Sequence, residues 1–177
     1  MLFAVTCRDL ARTLVGFLVL LREMASGVSV DPACSAELLT LIRACPRQYR
    51  AVIYRVSPDL RTIIVDRVLP SSNITGRSAV EDWKEFTSDK YLPRDDCRYA
   101  VYDFEFDTAE TGKKNKIIFL LWSPASAPIR SKMVYTSSRQ AIVAVLDGVQ
   151  KEVQATDEEE LEYAWVESQV RLASSAR

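Results

Sequence analysis

The feature that most constrains the fold is an unbroken apolar run in the second half of the chain, KIIFLLW at residues 116–122. A strand with one face in water alternates apolar and polar side chains, whereas a strand covered on both faces is apolar throughout. The run therefore predicts a central strand with protein packed on both sides. Further strands are predicted from β-branched, aromatic or alternating residues at 49–56, 61–69, 97–106 and, as a short edge strand, 151–155.

Helical patterns alternate with these strands. Asp31 and Pro32 suit the cap and the first position of a helix, and Gly148 suits the end of the longest helix. The helices are predicted at about residues 32–45, 76–89 and 128–146 and after the capping residues 156–157. The strands 49–56 and 61–69 form a hairpin, so the fold class is α/β, with a mixed central β-sheet flanked by helices on both faces. We predict one domain, residues 24–177.

Residues 1–23 do not fit this pattern. Their apolar run LVGFLVLL, residues 14–21, is shorter than the roughly 20 residues that span a bilayer, and no small-residue cleavage site follows it. Three interpretations stay open: a targeting segment, an amphipathic helix appended to the domain, or sequence upstream of a true start at Met24. We favour the last, because MASGVSV from Met24 has the character of a natural beginning.

Composition excludes several classes of function. The chain has no histidine, which excludes serine–histidine and cysteine–histidine nucleophile pairs and histidine metal sites. Its four cysteines form no CxxC pair and favour small buried residues in a reducing compartment. With 23 basic and 24 acidic residues, the net charge of −1 gives no general attraction to nucleic acid. We predict no metal, no cofactor, no nucleic-acid partner and no transmembrane segment.

The remaining candidates for catalysis are carboxylates. Asp95 and Asp96 lie in a predicted loop, whereas Asp103, Glu105 and Asp107 alternate along a predicted strand. Neighbouring carboxylates act as acid and base when their environments differ. No phosphate-binding loop or cluster of metal ligands accompanies them, so a small carboxylate-based enzyme is the remote alternative.

Two basic side chains lie where a helix disfavours them. Arg130 and Lys132 follow Pro128 within the first turn of the longest helix, where each cation is unfavourable by about 0.3–1 kcal/mol. The last helix, by contrast, is predicted to carry the acidic residues 158–160 in its first turn. The two cations indicate an acidic partner outside the chain. The alternative is that both are solvated and tolerated.

The segment around these cations resembles a known family. APIRSKMVYTSS at 127–138, preceded by WSP at 122–124 and YAVYDFEF at 99–106, is similar to the signature of the cofilin (actin-depolymerising factor) family. MASGV at 24–28 resembles the family's N-terminus. The similarity covers residues 24 to about 170. It implies an actin-depolymerising-factor homology domain that binds actin monomers and filaments and acts as a monomer.

The resemblance implies a surface for actin monomers. In the family the long helix inserts between two actin subdomains, helped by the N-terminal segment and the C-terminal helix. Met133 would supply an adaptable apolar contact, while the two cations would pair with actin carboxylates. The residues carried over to this surface are Ser26, Gly27, Val28, Arg130, Lys132 and Met133.

A second surface, specific for filaments, is implied on a strand–turn–strand segment at residues 112–116. Its best matches are two lysines that period-two alternation places on one strand face. The alternative is that these lysines only keep a sheet edge soluble. The residues predicted for filament binding are Lys114, Lys116, Glu167 and Arg171.

The C-terminal helix departs from the family pattern. Many relatives carry an acidic–basic pair where this chain has Ser168 and Gln169. Glu167 and Arg171 lie nearby with i, i+4 spacing and are expected to form a salt bridge of their own. This departure bears on filament affinity and severing more than on monomer binding.

Two regulatory features follow from the resemblance. Ser26 resembles the family's regulatory serine, whose phosphate would add about −1.5 to −2 charge beside an acidic partner. The alternative is an unmodified residue in a flexible tail. The basic residues of the actin-binding surface are also predicted to bind phosphoinositide head groups in competition with actin.

The resemblance thus implies a regulator of actin dynamics that severs filaments and promotes their depolymerisation and turnover, with a preference for ADP-bound actin. The first alternative keeps the fold but loses severing: a monomer sequesterer or a coactosin-like filament binder. The expected location is the cytoplasm, on the actin cytoskeleton, with the nucleus as a second compartment.

Overall fold

The computed structural model describes residues 27–43, 48–71, 76–108 and 112–172. The strands are β1 (Ser29–Val30), β2 (Tyr49–Val56), β3 (Thr62–Pro70), β4 (Arg98–Thr108), β5 (Gly112–Trp122) and β6 (Lys151–Ala155). The helices are α1 (Pro32–Arg43), α2 (Ala79–Phe86), α3 (Ile129–Val145) and α4 (Tyr163–Leu172), with a 3₁₀ turn at Glu159–Leu161. The six strands form one sheet in the order β1-β3-β2-β4-β5-β6.

The sheet is mixed, as predicted. β2 runs antiparallel to both β3 and β4, and β4 runs antiparallel to β5. The edge strands β1 and β6 run parallel to β3 and β5. β2 and β3 form the predicted hairpin. β5 lies between β4 and β6, and its residues 117–122 are all buried, which confirms the prediction of a strand covered on both faces.

Each face of the sheet has its own hydrophobic core. On one face α1 and α3 pack through side chains such as Leu38 and Tyr135. On the other face α2 and α4 pack through side chains such as Trp83 and Val166. Consecutive residues of β4 alternate between the two cores, as strand geometry requires. The α/β fold class is therefore confirmed, and the molecule has an α1–α3 face and an α2–α4 face.

Local hydrogen bonds explain where α1 and α2 begin. Asp31 Oδ1 accepts the Ala33 N–H at 2.8 Å, which confirms the predicted cap of α1. α2 begins with a capping box, because Ser78 Oγ accepts the Glu81 N–H at 3.3 Å while the Glu81 carboxylate accepts the Ser78 N–H at 2.8 Å. α2 thus has the acidic first turn that the helix dipole favours.

The last helix begins later than predicted. Glu159–Leu161 form a 3₁₀ turn, in which Asp157 Oδ1 accepts the Glu160 N–H at 2.9 Å. α4 starts only at Tyr163, and its first turn contains no acidic residue. The prediction that residues 158–160 occupy the first turn of the last helix is therefore wrong, because the Asp157 side chain closes a separate turn first.

The β4–β5 hairpin is longer than the sequence pattern indicated. β4 continues to Thr108, and β5 begins at Gly112, which pairs with Thr108. The segment 112–116, predicted as a strand–turn–strand segment, lies wholly within β5. Strand β1 was not predicted, because two residues are too few to show a period.

Gly148 lies in the turn that follows α3 and has a backbone conformation that favours glycine. Its φ is +101°, and an added Cβ would lie 2.9 Å from Ile42 Cδ1. The helix itself ends at Val145 with Leu146 as its C-cap. Gly148 therefore serves the turn after the helix rather than the position directly behind the cap.

Some predictions fall outside the described residues. These are the predictions for the extension 1–23, the start at Met24 and the role of Ser26. Within the described ranges, histidine, cysteine, aspartate and glutamate side chains do not gather in a group of three that could hold a metal ion. In the same part of the chain, each helix is too short or too polar to cross a bilayer.

Candidate functional site

The start of α3 presents apolar side chains to solvent. Ile129 is 77% exposed and Met133 is 67% exposed, and their i, i+4 spacing places them side by side. Arg130 lies next to them and is also exposed. Adjacent exposed apolar side chains are typical of a docking surface. The sequence analysis named Met133 but missed Ile129. Ile129 could have been found as an apolar residue directly after Pro128, at the start of the predicted helix.

This start also lacks the groups that stabilise a helix N-terminus. Pro128 occupies the cap position without a side-chain hydrogen bond, and the first turn of α3 contains no acidic residue. Lys132 Nζ donates to the Ala125 carbonyl at 2.6 Å, so this cation fixes the loop before the helix. Arg130 has no hydrogen bond or ion pair to any described residue. The structure thus separates the two cations: Lys132 has a partner within the chain, and Arg130 is available to an external carboxylate.

Buried polar groups hold α3 on the sheet. The Tyr135 hydroxyl accepts the Val56 N–H at 3.0 Å, and the Tyr135 carbonyl accepts the Tyr99 hydroxyl proton. Ser138 is fully buried, and its Oγ donates to the Val134 carbonyl at 2.7 Å. A polar residue in the middle of the helix therefore lies on its buried face, and the exposed face of α3 is fixed in position.

Two N-terminal residues of the predicted monomer surface, Gly27 and Val28, lie directly before β1. Gly27 is exposed, with a φ of +66°. Val28 is buried, 7% exposed, in the same core as Tyr135, and the following strand β1 packs against α3. Val28 therefore contributes packing rather than an exposed side chain. We define the α3 surface as Gly27, Ile129, Arg130 and Met133.

The predicted filament-binding lysines lie near the turn of the β4–β5 hairpin. Lys114 pairs with Phe106 across the hairpin, and Lys116 lies two residues further along β5 on the same strand face. This confirms the predicted alternation. Lys116 Nζ donates to the Val170 carbonyl at 3.4 Å, so β5 is joined to the last turn of α4.

The C-terminal residues of the filament prediction meet the same hairpin. Arg171 Nη2 donates to Glu167 Oε1 at 2.6 Å, which confirms the expected i, i+4 salt bridge. The Arg171 guanidinium carbon lies 5.4 Å from the Phe106 ring centroid, and its Nη2 also donates to the Asp107 carbonyl. We define the hairpin surface as Lys114, Lys116, Glu167 and Arg171.

A buried cluster of charges lies within the sheet beside this hairpin. Arg50, which is 4% exposed, lies 3.3 Å from Glu105, 3.8 Å from Asp82 and 3.9 Å from Asp103. Asn115 Nδ2 donates to both Asp103 oxygens at 3.1 Å. The cluster ties β2, α2, β4 and β5 together. Two of the carboxylates weighed as catalytic groups are thus engaged in structural ion pairs.

The loop carboxylates Asp95 and Asp96 and the Cys34 thiol are placed no better for catalysis. Asp95 is exposed in the loop before β4. Asp96 pairs with Arg98, and its Oδ1 accepts the Cys97 N–H at 2.9 Å. Burial raises the pKa of Cys34 to about 12, which keeps this thiol protonated and unreactive at neutral pH.

Comparison with known proteins shows which family has this fold, with these two surfaces inside the matched region. The model of the family described as cofilin/tropomyosin-type actin-binding protein matches residues 27–171, a span that contains both surfaces. The chain belongs to the cofilin and actin-depolymerising factor family. Actin-depolymerizing factor 12 of Arabidopsis thaliana is 42% identical to it over 137 residues, which are 77% of this chain and 90% of that protein. The resemblance drawn from the residues is confirmed.

Solved structures agree with this membership. Cofilin of Streptomyces griseoflavus is 31% identical, with a TM-score of 0.69 over 85% of this chain and 100% of its own. Coactosin from Entamoeba histolytica is 16% identical, with a TM-score of 0.67 over 85% of this chain and 99% of its own. At that identity coactosin shares the fold alone with this family member.

Proposed function

We propose that this chain binds actin through the α3 surface and promotes the depolymerisation of actin filaments. Its family is described as actin-binding, and relatives from Arabidopsis and Petunia are named actin-depolymerizing factors. The observation that carries the proposal is the start of α3, where Arg130 stands unpaired among the described residues beside exposed Ile129 and Met133. A partner that buries the apolar pair and offers a carboxylate to Arg130 would satisfy all three side chains.

The proposed activity needs no catalytic group. A protein that binds one of two filament states more tightly shifts the filament towards that state, with the interface as the source of free energy. We propose that this chain favours a more twisted arrangement of ADP-bound subunits. Filaments would then break at boundaries between decorated and bare segments, and subunits would leave the ends faster.

The hairpin surface is proposed as the second, filament-specific contact. Lys114 is exposed there, and the hairpin projects it on the same face as Lys116. Because α3 and this hairpin are different parts of the molecule, one chain could touch two neighbouring subunits of a filament. A monomer offers only the first contact.

Location and regulation belong to the same proposal. We propose that the protein acts as a monomer on the actin cytoskeleton in the cytoplasm, with the nucleus as a second compartment. Phosphoinositide head groups would compete with actin for Arg130 and its neighbours, because local cations attract anionic lipid. Phosphorylation of Ser26 would oppose docking through charge repulsion.

A second candidate function is favoured by one observation. Arg171 is already paired with Glu167 at 2.6 Å, which leaves less positive charge for a filament. A monomer sequesterer, or a filament binder that does not sever, would fit this arrangement. Sedimentation combined with filament-length measurement separates the candidates, since binding without shortening favours the second.

The α3 surface is tested by the double substitution Arg130→Ala/Met133→Ala. Both side chains are exposed, so the fold should be retained. Loss of interface anchors of this kind weakens binding by about 2 kcal/mol or more, which is about thirtyfold. Titration of fluorescently labelled actin monomers and co-sedimentation with filaments measure the loss.

The matched control for this test is Lys84→Ala. Lys84 is an exposed cation of α2, on the opposite face of the sheet from α3. We expect Lys84→Ala to bind and depolymerise actin like the unchanged protein. Unaltered binding and depolymerisation by Arg130→Ala/Met133→Ala would overturn the proposed function.

A further inference from the structure

Arg171 on the hairpin surface is turned towards its own chain. Its Nε and Nη2 donate to Glu167 Oε1 at 3.1 and 2.6 Å. Nη2 also donates to the Asp107 carbonyl, and the guanidinium lies over the Phe106 ring at 5.4 Å. These contacts come from α4 and from β4, so they hold the cation against the hairpin although 45% of the side chain remains exposed.

Two lysines of the same region are engaged in a similar way. Lys113 Nζ lies 2.9 Å from Glu105 Oε1, and Lys116 Nζ donates to the Val170 carbonyl at 3.4 Å. Lys114 is exposed and has no hydrogen bond or ion pair within the described residues. Most of the cations at this end of the molecule therefore already have a partner within the chain.

We infer that Glu167, although it lies on the hairpin surface, opposes filament binding instead of contributing a contact. It is a specificity-determining residue, which holds Arg171 against the hairpin and thereby lowers affinity for filaments without altering affinity for monomers. The inference rests on the proposed function, because it assigns the hairpin surface to the filament. An acidic filament surface would have to compete with Glu167 for Arg171. It would also meet the Glu167 charge itself, and like charges across an interface disfavour binding.

The substitution Glu167→Gln tests the inference. It keeps the size of the side chain and removes the charge that holds Arg171. We expect filament affinity to rise about two- to fivefold, the range that corresponds to one partly exposed ion pair. The dependence of filament affinity on salt should become steeper, because one more cation then contributes. Co-sedimentation at several salt concentrations measures both.

The matched control is Asp95→Asn, which also exchanges a carboxylate for an amide. Asp95 is exposed in the loop before β4, at the opposite end of that strand from the hairpin turn. The 11 residues of β4 separate the two ends of the strand by roughly 30 Å, because a strand rises about 3.3 Å per residue. Asp95→Asn should leave filament affinity and its salt dependence unchanged.

A double-substitution cycle with Arg171→Gln shows whether Glu167 acts through Arg171. The gain from Glu167→Gln should shrink or vanish in a chain that already carries Arg171→Gln, since no cation is then released. An equal gain in both backgrounds would mean that Glu167 only repels the filament, and the inference would be overturned. Unchanged or weaker filament binding by Glu167→Gln would overturn it as well.

Monomer titration separates this inference from the proposed function. If the unchanged chain and all of the variants fail to bind actin monomers, the proposed function fails. If all bind monomers alike and Glu167→Gln leaves filament binding unchanged, the proposed function stands and the role of Glu167 fails. Equal thermal unfolding midpoints of Glu167→Gln and Asp95→Asn would exclude a change in folding as the cause.

Discussion

The α3 surface and the hairpin surface both carry positive charge, but they use it differently. Arg130 on the α3 surface is exposed and has no partner within the described residues, and it stands beside exposed apolar side chains. Arg171 on the hairpin surface is bound by Glu167 and by the carbonyl of Asp107. A basic residue thus indicates an external partner only where the chain does not itself neutralise the charge.

The supports beneath the two surfaces also differ. The buried contacts beneath α3 are neutral, such as the Tyr135 hydroxyl bonded to the Val56 N–H, and a half-exposed ion pair joins Arg139 of α3 to Glu152 of β6. The hairpin is held by ionised groups around Arg50. Neutral hydrogen bonds are insensitive to pH near neutrality, whereas ion pairs depend on carboxylate ionisation. The two surfaces should therefore respond differently to mutation and to acid.

The largest expected effect is that of Arg50→Gln. This substitution removes the cation that Asp82 and Asp103, both 0% exposed, share, although Asp82 keeps its ion pair with Arg77 at 3.4 Å. Breaking a buried ion pair on one side destabilises a protein by about 3–5 kcal/mol. We expect the free energy of unfolding, measured in urea, to fall by this amount. Filament binding should weaken more than monomer binding.

Two further variants sharpen the interpretation of Arg50→Gln. Arg61→Gln removes an exposed arginine and should leave the free energy of unfolding within about 0.5 kcal/mol of the unchanged protein. Arg50→Gln/Asp103→Asn should recover part of the lost stability, since one of the buried negative charges that Arg50 balanced is then absent. If Arg50→Gln unfolds at the same urea concentration as Arg61→Gln, the hairpin does not depend on the cluster.

The next effect in size is that of Tyr135→Phe beneath α3. Burial raises the pKa of Tyr135 to about 12, so its hydroxyl remains protonated in any ordinary buffer. The substitution leaves the buried Val56 N–H without its acceptor, which destabilises by about 1–3 kcal/mol. Urea unfolding measures the change. Monomer binding should weaken in step, because the helix that carries the α3 surface is less firmly held.

Tyr49→Phe is the control for this prediction. Tyr49 is half-buried against the same core, and its hydroxyl makes no hydrogen bond to another described residue. Its loss should change the free energy of unfolding by less than about 0.5 kcal/mol. Equal stability of the two phenylalanine variants would show that the Tyr135 hydroxyl is not needed to hold α3.

Much of the fold could be predicted because its signals are local. The apolar run of β5 and the cap at Asp31 depend on residues that are neighbours in sequence. The start of α4 could not be placed in this way. There the Asp157 side chain competes for the Glu160 N–H, and a 3₁₀ turn replaces the first turn of the expected helix.

The candidate site was predictable in its residues and in one local pair, Glu167 with Arg171, but not in its long-range partners. The resemblance to a family singled out Arg130, Met133 and Arg171. Whether each charge is free depends on contacts between distant segments, such as the bond from Arg171 to the Asp107 carbonyl across 64 residues. No periodic pattern encodes such a contact, so only the folded chain shows how far Arg171 is held by other segments.

The smallest effect expected is a loss of stability in acid through Glu105. A hydrogen bond from Lys113, and then one from Arg50, hold the pKa of Glu105 below its ordinary value of 4.5. A carboxylate with a lowered pKa stabilises the fold fully above that ordinary value. The stabilisation is lost as pH falls through the lower value of the folded state. The buried hydrogen bonds of Tyr135 beneath α3 are neutral and should contribute nothing to this loss.

Glu105→Gln tests the pH dependence by removing the titrating group. Its deficit in free energy of unfolding relative to the unchanged protein should be largest near neutral pH and should shrink below about pH 4. Glu159→Gln exchanges an exposed carboxylate that makes no hydrogen bond or ion pair with its side chain among the described residues. Its deficit should be small at every pH. A Glu105→Gln deficit that stayed constant into acid would mean that the hairpin is held by packing alone, and the electrostatic contrast with α3 would disappear.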